Sequence, residues 1–239
     1  MHVAPAFSCM EIVDLIYNEL MRPQDIFIMS KGHGCMAQYV VLEDKGVLSR
    51  EDLESYCTPQ GRLGAHPDYG IPGIEASTGS LGHGLGIAVG QAYAEKLKRA
   101  DTKVYCLLSD GEMQEGSTWE ATMMAVNLRL DNLVAFVDHN DFGGLERISE
   151  AQPATLPLVD KALAFGWDTS THAGHSWSNF RLYAKQTQPI MVVCQTVKGK
   201  GVSFMENEPI WHYRSPSPGE YRKSLQEIAV EEYCARYDV

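Results

Sequence analysis

Apolar positions follow two textures along the chain. In the first part they recur at helical spacing: Phe7, Met10, Ile12, Val13, Ile16, Tyr17 and Leu20 form one stripe, which Arg22 and Pro23 close. Residues 35–46 form a second helical stretch ending at Gly46, and Ser49 with Asp52 opens a third. Residues 58–78 are dense in Gly, Pro and His and read as an ordered loop. The stretch STGSLGHGLGIAVGQAYAEKLKR then reads as a helix entered through Ser77 and Thr78, with Gly82, Gly86 and Gly90 recurring on one face. Glycine costs close to 1 kcal/mol relative to Ala inside a helix, so this face predicts close approach to a cofactor or to another subunit.

From Val104 onward short apolar runs alternate with longer helical patterns. Val104–Leu108, Leu133–Val137 and Ile190–Thr196 read as buried parallel strands, with helices near 115–129, 156–164 and 176–187 between them. This alternation predicts an α/β fold, a doubly wound, mostly parallel sheet with helices on both faces. Its ligands belong beyond the carboxyl ends of the strands. A single domain covers 1–239, and the Pro-Ser stretch from Ser215 to Gly219, followed by a helix to Tyr237, makes 213–239 a C-terminal docking extension.

Composition narrows the function. A chain of 239 residues with 44% apolar content supports one substantial core. Its net charge of −11 argues against nucleic-acid or anionic-membrane partners, so any phosphate recognition has to be local. No apolar run is long enough for a membrane span, and the amino terminus lacks an export signal. Six scattered cysteines without C-x-x-C pairs fit reduced thiols, and the expected location is cytoplasmic.

The candidate chemistry sits at the predicted strand ends. SDGEMQEGSTWEA follows the strand YCLL, and DHN follows LVAFV, so Asp110 and Asn140 stand just past two successive strands, thirty residues apart. Neighbouring strands lie about 4.8 Å apart, which lets one carboxylate and one amide oxygen reach a single cation. Hard oxygen ligands, few of them from side chains, suit Mg2+ completing its octahedron with diphosphate oxygens, a backbone carbonyl and water. Taken singly, Asp-Gly and Asn140 are ordinary turns; the strand–helix–strand spacing makes them a signal. Four histidines sit in stiff settings: His2 in HVAPAFS, His33 in SKGHG, His66 in GAHPD and His212 in ENEPIWHYRSP. A lone loop His is usually a surface residue, but Gly- and Pro-rich backbone around it tilts the reading toward proton and hydroxyl chemistry near neutral pH.

These motifs, in this order, resemble the diphosphate-binding half of the transketolase family. The pair Asp110-Gly111 and Asn140 resembles the thiamine diphosphate motif, with Ser109 in place of its first Gly. TGSLGHGL is similar to a transketolase and deoxyxylulose phosphate synthase segment, which assigns cofactor contacts to Gly79 and Leu81. The resemblance further implies cofactor binding by Asp110, Gly111, Glu112, Asn140, His33, His66 and His212. It implies Mg2+ ligation by Asp110, Asn140 and the carbonyl of Phe142. His33, His66, His212 and His2 are implied as catalytic residues. His2 rests on HVAPAFSCMEI, where Ala4 and Pro5 stand in place of paired glycines. The family's D-x-N-x-x-x-x-D-G reads DHNDFGGLERIS here, so the loop after Asn140 is altered. The family also usually carries some tens of residues ahead of its first His, which this sequence lacks.

A family member of this kind takes thiamine diphosphate and Mg2+ as cofactors and transfers a two-carbon ketol unit from a ketose or ketose phosphate to an aldehyde. The pyrimidine-binding domain, whose Glu activates the cofactor ring, is missing, which implies a C-terminal partner subunit and a heterotetramer with two copies of each chain. Glu115 resembles a position near the dimer contact. Two alternatives remain open at this point: a different thiamine-dependent reaction, such as deoxyxylulose phosphate synthesis or delivery to a specialised acceptor, and a catalytically silent scaffold subunit.

Overall fold

The computed structural model describes residues 2–177, 180 and 187–237. Helix α1 (Val3–Leu15) continues into a π-helical turn (Ile16–Leu20) and leads to strand β1 (Ile26–Met29). Helix α2 (Cys35–Asp44) and the short α3 (Arg50–Glu54) follow, the latter closed by a reciprocal capping box between Ser49 and Asp52. Then come α4 (Gly84–Lys98), β2 (Val104–Ser109), α5 (Gly116–Asn127) and β3 (Leu133–His139). A two-residue hairpin, β4 (Phe142–Gly143) and β5 (Glu146–Arg147), precedes α6 (Ile148–Ala151) and α7 (Leu158–Phe165). Strands β6 (Asp168–Ala173) and β7 (Ile190–Gln195) and helix α8 (Pro218–Tyr237) complete the order. Most of the helix expected at 176–187 lies outside the described residues.

The sheet runs β1-β2-β3-β7-β6, with every pairing parallel. Strand alternation divides the core into two layers. Tyr105, Leu107, Val134, Phe136 and Val192 pack with α1 and α2, while Cys106, Leu108, Ala135, Val137 and Val193 pack with α4, α5 and α7. The expected doubly wound architecture is therefore present. Register finishes the central strands level: Ser109 pairs with Asp138, and His139 with Gln195. The loops after β1, β2, β3 and β7 consequently open onto one edge.

The helix expected from Ser77 starts instead at Gly84. Gly79 and Gly82 take φ values of +146° and +87°, outside the right-handed helical region, so the stretch around them forms a loop. Gly82 is thus not part of the helical glycine face; Gly86 and Gly90 remain on α4, exposed. No helix among the described residues is long and apolar enough to cross a membrane.

Candidate functional site

Beyond the level strand ends lies a cavity of about 340 Å3 whose lining includes His2, His33, His66, His212, Phe142 and Tyr213. All four histidines singled out in the sequence meet here. The His2 ring lies 5.7 Å from His33, 5.7 Å from His66 and 5.2 Å from His212, and His33 lies 5.5 Å from His212. His2 Nδ1 donates to the His212 carbonyl at 2.9 Å, which fixes its proton on Nδ1. Burial lowers the pKa of His2 and holds His33 well below the usual histidine value, and nearby Lys31 lowers His33 further. His212 falls to about 3, through burial and then Lys198. These three imidazoles are neutral at neutral pH, able to accept or donate hydrogen bonds to sugar hydroxyls.

Gly79 and Leu81 also line the cavity. A side chain at Gly79 would begin 3.0 Å from the His66 ring, so only glycine lets this loop close over the imidazole. From the other side, Tyr39 holds the His66 carbonyl through a 3.0 Å hydrogen bond.

Asp110 is fully buried at the end of β2. Its carboxylate accepts from the Gly111 amide (2.8 Å), the Asp141 amide (2.6 Å) and His139 Nδ1 (2.9 Å). Burial pushes the Asp110 carboxyl above its usual range, and the bond to Asp110 raises His139. Asn140 Oδ1 accepts from the Phe142 amide at 3.0 Å, and the Phe142 carbonyl faces Gly111, 3.7 Å from where a Cβ there would sit. One carboxylate from the loop after β2 therefore lies beside one amide oxygen and one backbone carbonyl from the loop after β3. A buried carboxylate destabilised by desolvation favours a neighbouring cation, and this donor set fits Mg2+.

Behind the turn, Lys31 and Asp138 form an ion pair with both side chains fully buried. Asp138 also accepts from Ser8 (2.8 Å) and from Thr196, and Ser8 in turn accepts from Asn140 Nδ2 at 2.9 Å. This network fixes which way the Asn140 amide points.

Glu112 is fully buried, and its oxygens accept from Ser30, the Gly82 amide and the Ser109 amide, tying the glycine loop to β2. Lys198, which the sequence reading passed over, is only 1% exposed. Its ammonium donates to the Gly144 carbonyl (2.8 Å) and to His212 Nδ1 (3.0 Å), and no carboxylate among the described residues pairs with it. Burial followed by repulsion from Lys31 lowers Lys198 to about 8. A buried cation without an anion is costly, so this corner is electrostatically ready for one. The only signal in the sequence was KGKG, which by itself is indistinguishable from a surface turn.

A doubly wound sheet whose strand ends set a hard-oxygen turn beside a buried, unpaired ammonium defines a site for an anion held with a divalent cation. Residues 16–215 match the transketolase, thiamine diphosphate binding domain, and the chain belongs to the transketolase family. It is 37% identical to an apulose-4-phosphate transketolase subunit from Phocaeicola vulgatus, over 95% of this chain and 86% of that protein. It is 34% identical to the 6-deoxy-6-sulfo-D-fructose transketolase subunit SqwG of a Clostridium species, over 96% of this chain and 89% of that protein. The transketolase of Campylobacter jejuni shares its fold, with a TM-score of 0.75 at 22% identity, covering 97% of this chain and 47% of that one. The chain thus spans about half the length of this solved transketolase.

Proposed function

We propose that this chain is the diphosphate-binding subunit of a two-component transketolase, which moves a two-carbon ketol unit from a ketose or ketose phosphate to an aldehyde. The observation that carries the reading is Lys198, a buried ammonium with no carboxylate partner among the described residues, placed over the same loop that holds Asn140 and Phe142. Asp110, Asn140 and the Phe142 carbonyl would hold Mg2+, and Lys198 with Gly111 would receive the diphosphate. Gly79 and Leu81 would contact the cofactor. Bound thiamine diphosphate supplies the carbon nucleophile and electron sink for cleaving the bond beside the ketose carbonyl. His2, His33, His66 and His212 would orient the sugar hydroxyls and carry protons between them.

The relatives named as transketolase subunits support ketol transfer over deoxyxylulose phosphate synthesis, and their being subunits supports a partner chain. That partner would contribute the pyrimidine-binding domain and its activating Glu. The exposed Ile87, Leu97, Met123 and Met124 on α4 and α5, beside the bare Gly86 and Gly90, support assembly into a heterotetramer through this face. Tyr221, Leu225 and Val230, exposed on α8, support 213–239 as a docking extension of a single domain. Five unpaired cysteines among the described residues support a cytoplasmic location.

The test is calorimetric titration of thiamine diphosphate with Mg2+ into the chain co-expressed with a pyrimidine-binding transketolase subunit, followed by mass spectrometry of ketose–aldehyde mixtures. Asp110→Ala should abolish Mg2+-dependent binding. Wild-type affinity in that variant, or cofactor-loaded complex that transfers no two-carbon unit across a panel of ketose donors, would overturn the reading.

A further inference from the structure

The loop after Asn140 departs from its family pattern, with Leu145 and Glu146 where D-x-N-x-x-x-x-D-G carries Asp-Gly. It is nevertheless tightly ordered. Asp141 adopts a φ of +68°, a left-handed conformation that a non-glycine residue keeps only when its surroundings hold it. Its carboxylate accepts from the Ser149 amide (2.8 Å), the Ser149 hydroxyl (2.7 Å) and Arg147 Nη1 (3.2 Å). Arg147 makes a second contact: its guanidinium carbon lies 4.6 Å from the centre of the Phe142 ring. Lys198 Nζ lies 4.9 Å from the same ring. Phe142 lines both the histidine cavity and a separate cavity bounded by Arg147, Leu145 and Glu208.

We propose that Arg147 is a positioning residue for the Mg2+ diphosphate site, acting through Phe142. It grips the strained residue Asp141 by charge and the next residue, Phe142, by its ring. The Asp141 carbonyl between these two anchors accepts from the Ile148 amide at 2.9 Å, and directly after them follows the Phe142 carbonyl, which faces the Asp110–Gly111 turn. Arg147 thereby replaces the missing Asp-Gly turn as the element that fixes this carbonyl. A cation over an aromatic face with a carboxylate on its other side is held in direction as well as distance. The inference rests on the cofactor site proposed above and concerns a residue that touches neither metal nor substrate.

The experiment is calorimetry on the complex with the pyrimidine-binding subunit, titrating thiamine diphosphate at a series of Mg2+ concentrations. Loss of a group that orients a metal ligand typically weakens metal affinity by 10-fold or more, so Arg147→Ala should require about 10-fold more Mg2+ for half-maximal cofactor binding. Arg147→Lys should recover part of that loss. Phe142→Leu keeps the carbonyl and removes the ring, and should show a similar loss. The double variant Arg147→Ala/Phe142→Leu should lose less than the sum of the two single losses, because the Arg147–Phe142 contact is broken in both. A purely structural role would move the melting temperature, whereas Arg147, 39% exposed along its side chain, should leave it nearly unchanged. If Arg147→Ala fails to fold, the Arg147→Lys and Phe142→Leu pair carries the comparison. Absence of Mg2+-dependent binding in the wild-type complex would sink the cofactor reading itself. Normal wild-type binding with an unchanged Mg2+ requirement in Arg147→Ala, or losses that simply add in the double variant, would overturn the role given to Arg147.

Discussion

The Lys198 ammonium donates a hydrogen bond to Nδ1 of His212 across 3.0 Å, so a cation and an imidazole that mild acid would protonate in water face each other in a buried corner. Burial, and after it the lysine, keeps the histidine neutral, holding it at about 3. The histidine in turn offers a lone pair but no countercharge. Only an incoming anion completes this corner, which is why it points to a diphosphate and not to a structural ion pair.

Replacing Lys198 separates stability from binding. Lys198→Met keeps the bulk of the chain's stem and removes the uncompensated charge, so the cofactor-free protein should melt at the same temperature or higher. Affinity for thiamine diphosphate should fall by about 2–3 kcal/mol, roughly 30- to 150-fold, for loss of a buried charge-assisted contact. Differential scanning fluorimetry without cofactor and calorimetry with it check the two halves. A less stable variant with unchanged affinity would show that Lys198 is a scaffold residue.

The buried histidines give the fold an acid-side weakness. His2, His33 and His212 have folded-state pKa values below the ordinary 6.5, so the unfolded chain takes up protons that the native state refuses. Their contribution is full above pH 6.5 and is lost as pH falls from there toward the folded value, which for His212 is about 3. Each such group adds at most about 1.4 kcal/mol per pH unit in that window, and less where water reaches the ring. Thermal melts should drop from pH 7 to pH 5, above the range in which exposed carboxylates titrate. His212→Asn should flatten the slope, whatever it does to the melting temperature at pH 7. An equal slope in both proteins would remove His212 as a source.

How much of this was legible follows from where water is. The runs Val104–Ser109, Leu133–His139 and Ile190–Gln195 announce themselves because both faces of those strands are buried, which forces continuous apolar sequence. Edge strand β6, DTSTHA, was invisible because an edge tolerates polar residues, and β1 was hidden because four residues between turns carry no period. Asp110 and Asn140 stood out at the ends of predicted strands, and the four histidines on Gly- and Pro-rich segments, but that those histidines meet at one cavity depends on the fold. The partners of Glu112 were not legible, because sequence adjacency to Asp110 says nothing about direction: a turn rotates it into the core onto Ser30 and Gly82. Lys198 and the Lys31–Asp138 pair depend on contacts between residues far apart in sequence, which no local pattern encodes.

The exposed face of α4 and α5 yields a prediction about assembly. Leu97 is 66% exposed and Met124 49% exposed, and a carboxylate at either position is solvated in the free chain. Leu97→Glu/Met124→Glu should therefore leave the chain folded with its melting temperature near wild type. Buried in an interface, the same unpaired carboxylates would cost several kcal/mol. Light scattering of the complex should then read about half the heterotetramer mass. An unchanged mass would place the contact on another face.

The final prediction concerns the ion pair behind the Mg2+ turn. Burial alone would lower the Lys31 pKa, but Asp138 outweighs it and holds the ammonium charged. Removing one partner strands the other charge, so Asp138→Ala should destabilise the fold by about 3–5 kcal/mol. The apolar double replacement Lys31→Met/Asp138→Leu should regain most of that, since no buried charge remains. Cofactor binding should not recover with it. Ser8 donates to Asp138 and accepts from Asn140, so without Asp138 the chain that sets the Asn140 amide is broken even in a stable protein. Chemical denaturation would report the recovered stability, and Mg2+-dependent thiamine diphosphate titration of the same double variant in its complex would report affinity still reduced by 10-fold or more, as expected when the orienting contacts of a metal ligand are lost. Full recovery of both together would mean that the pair stabilises the fold without directing Asn140.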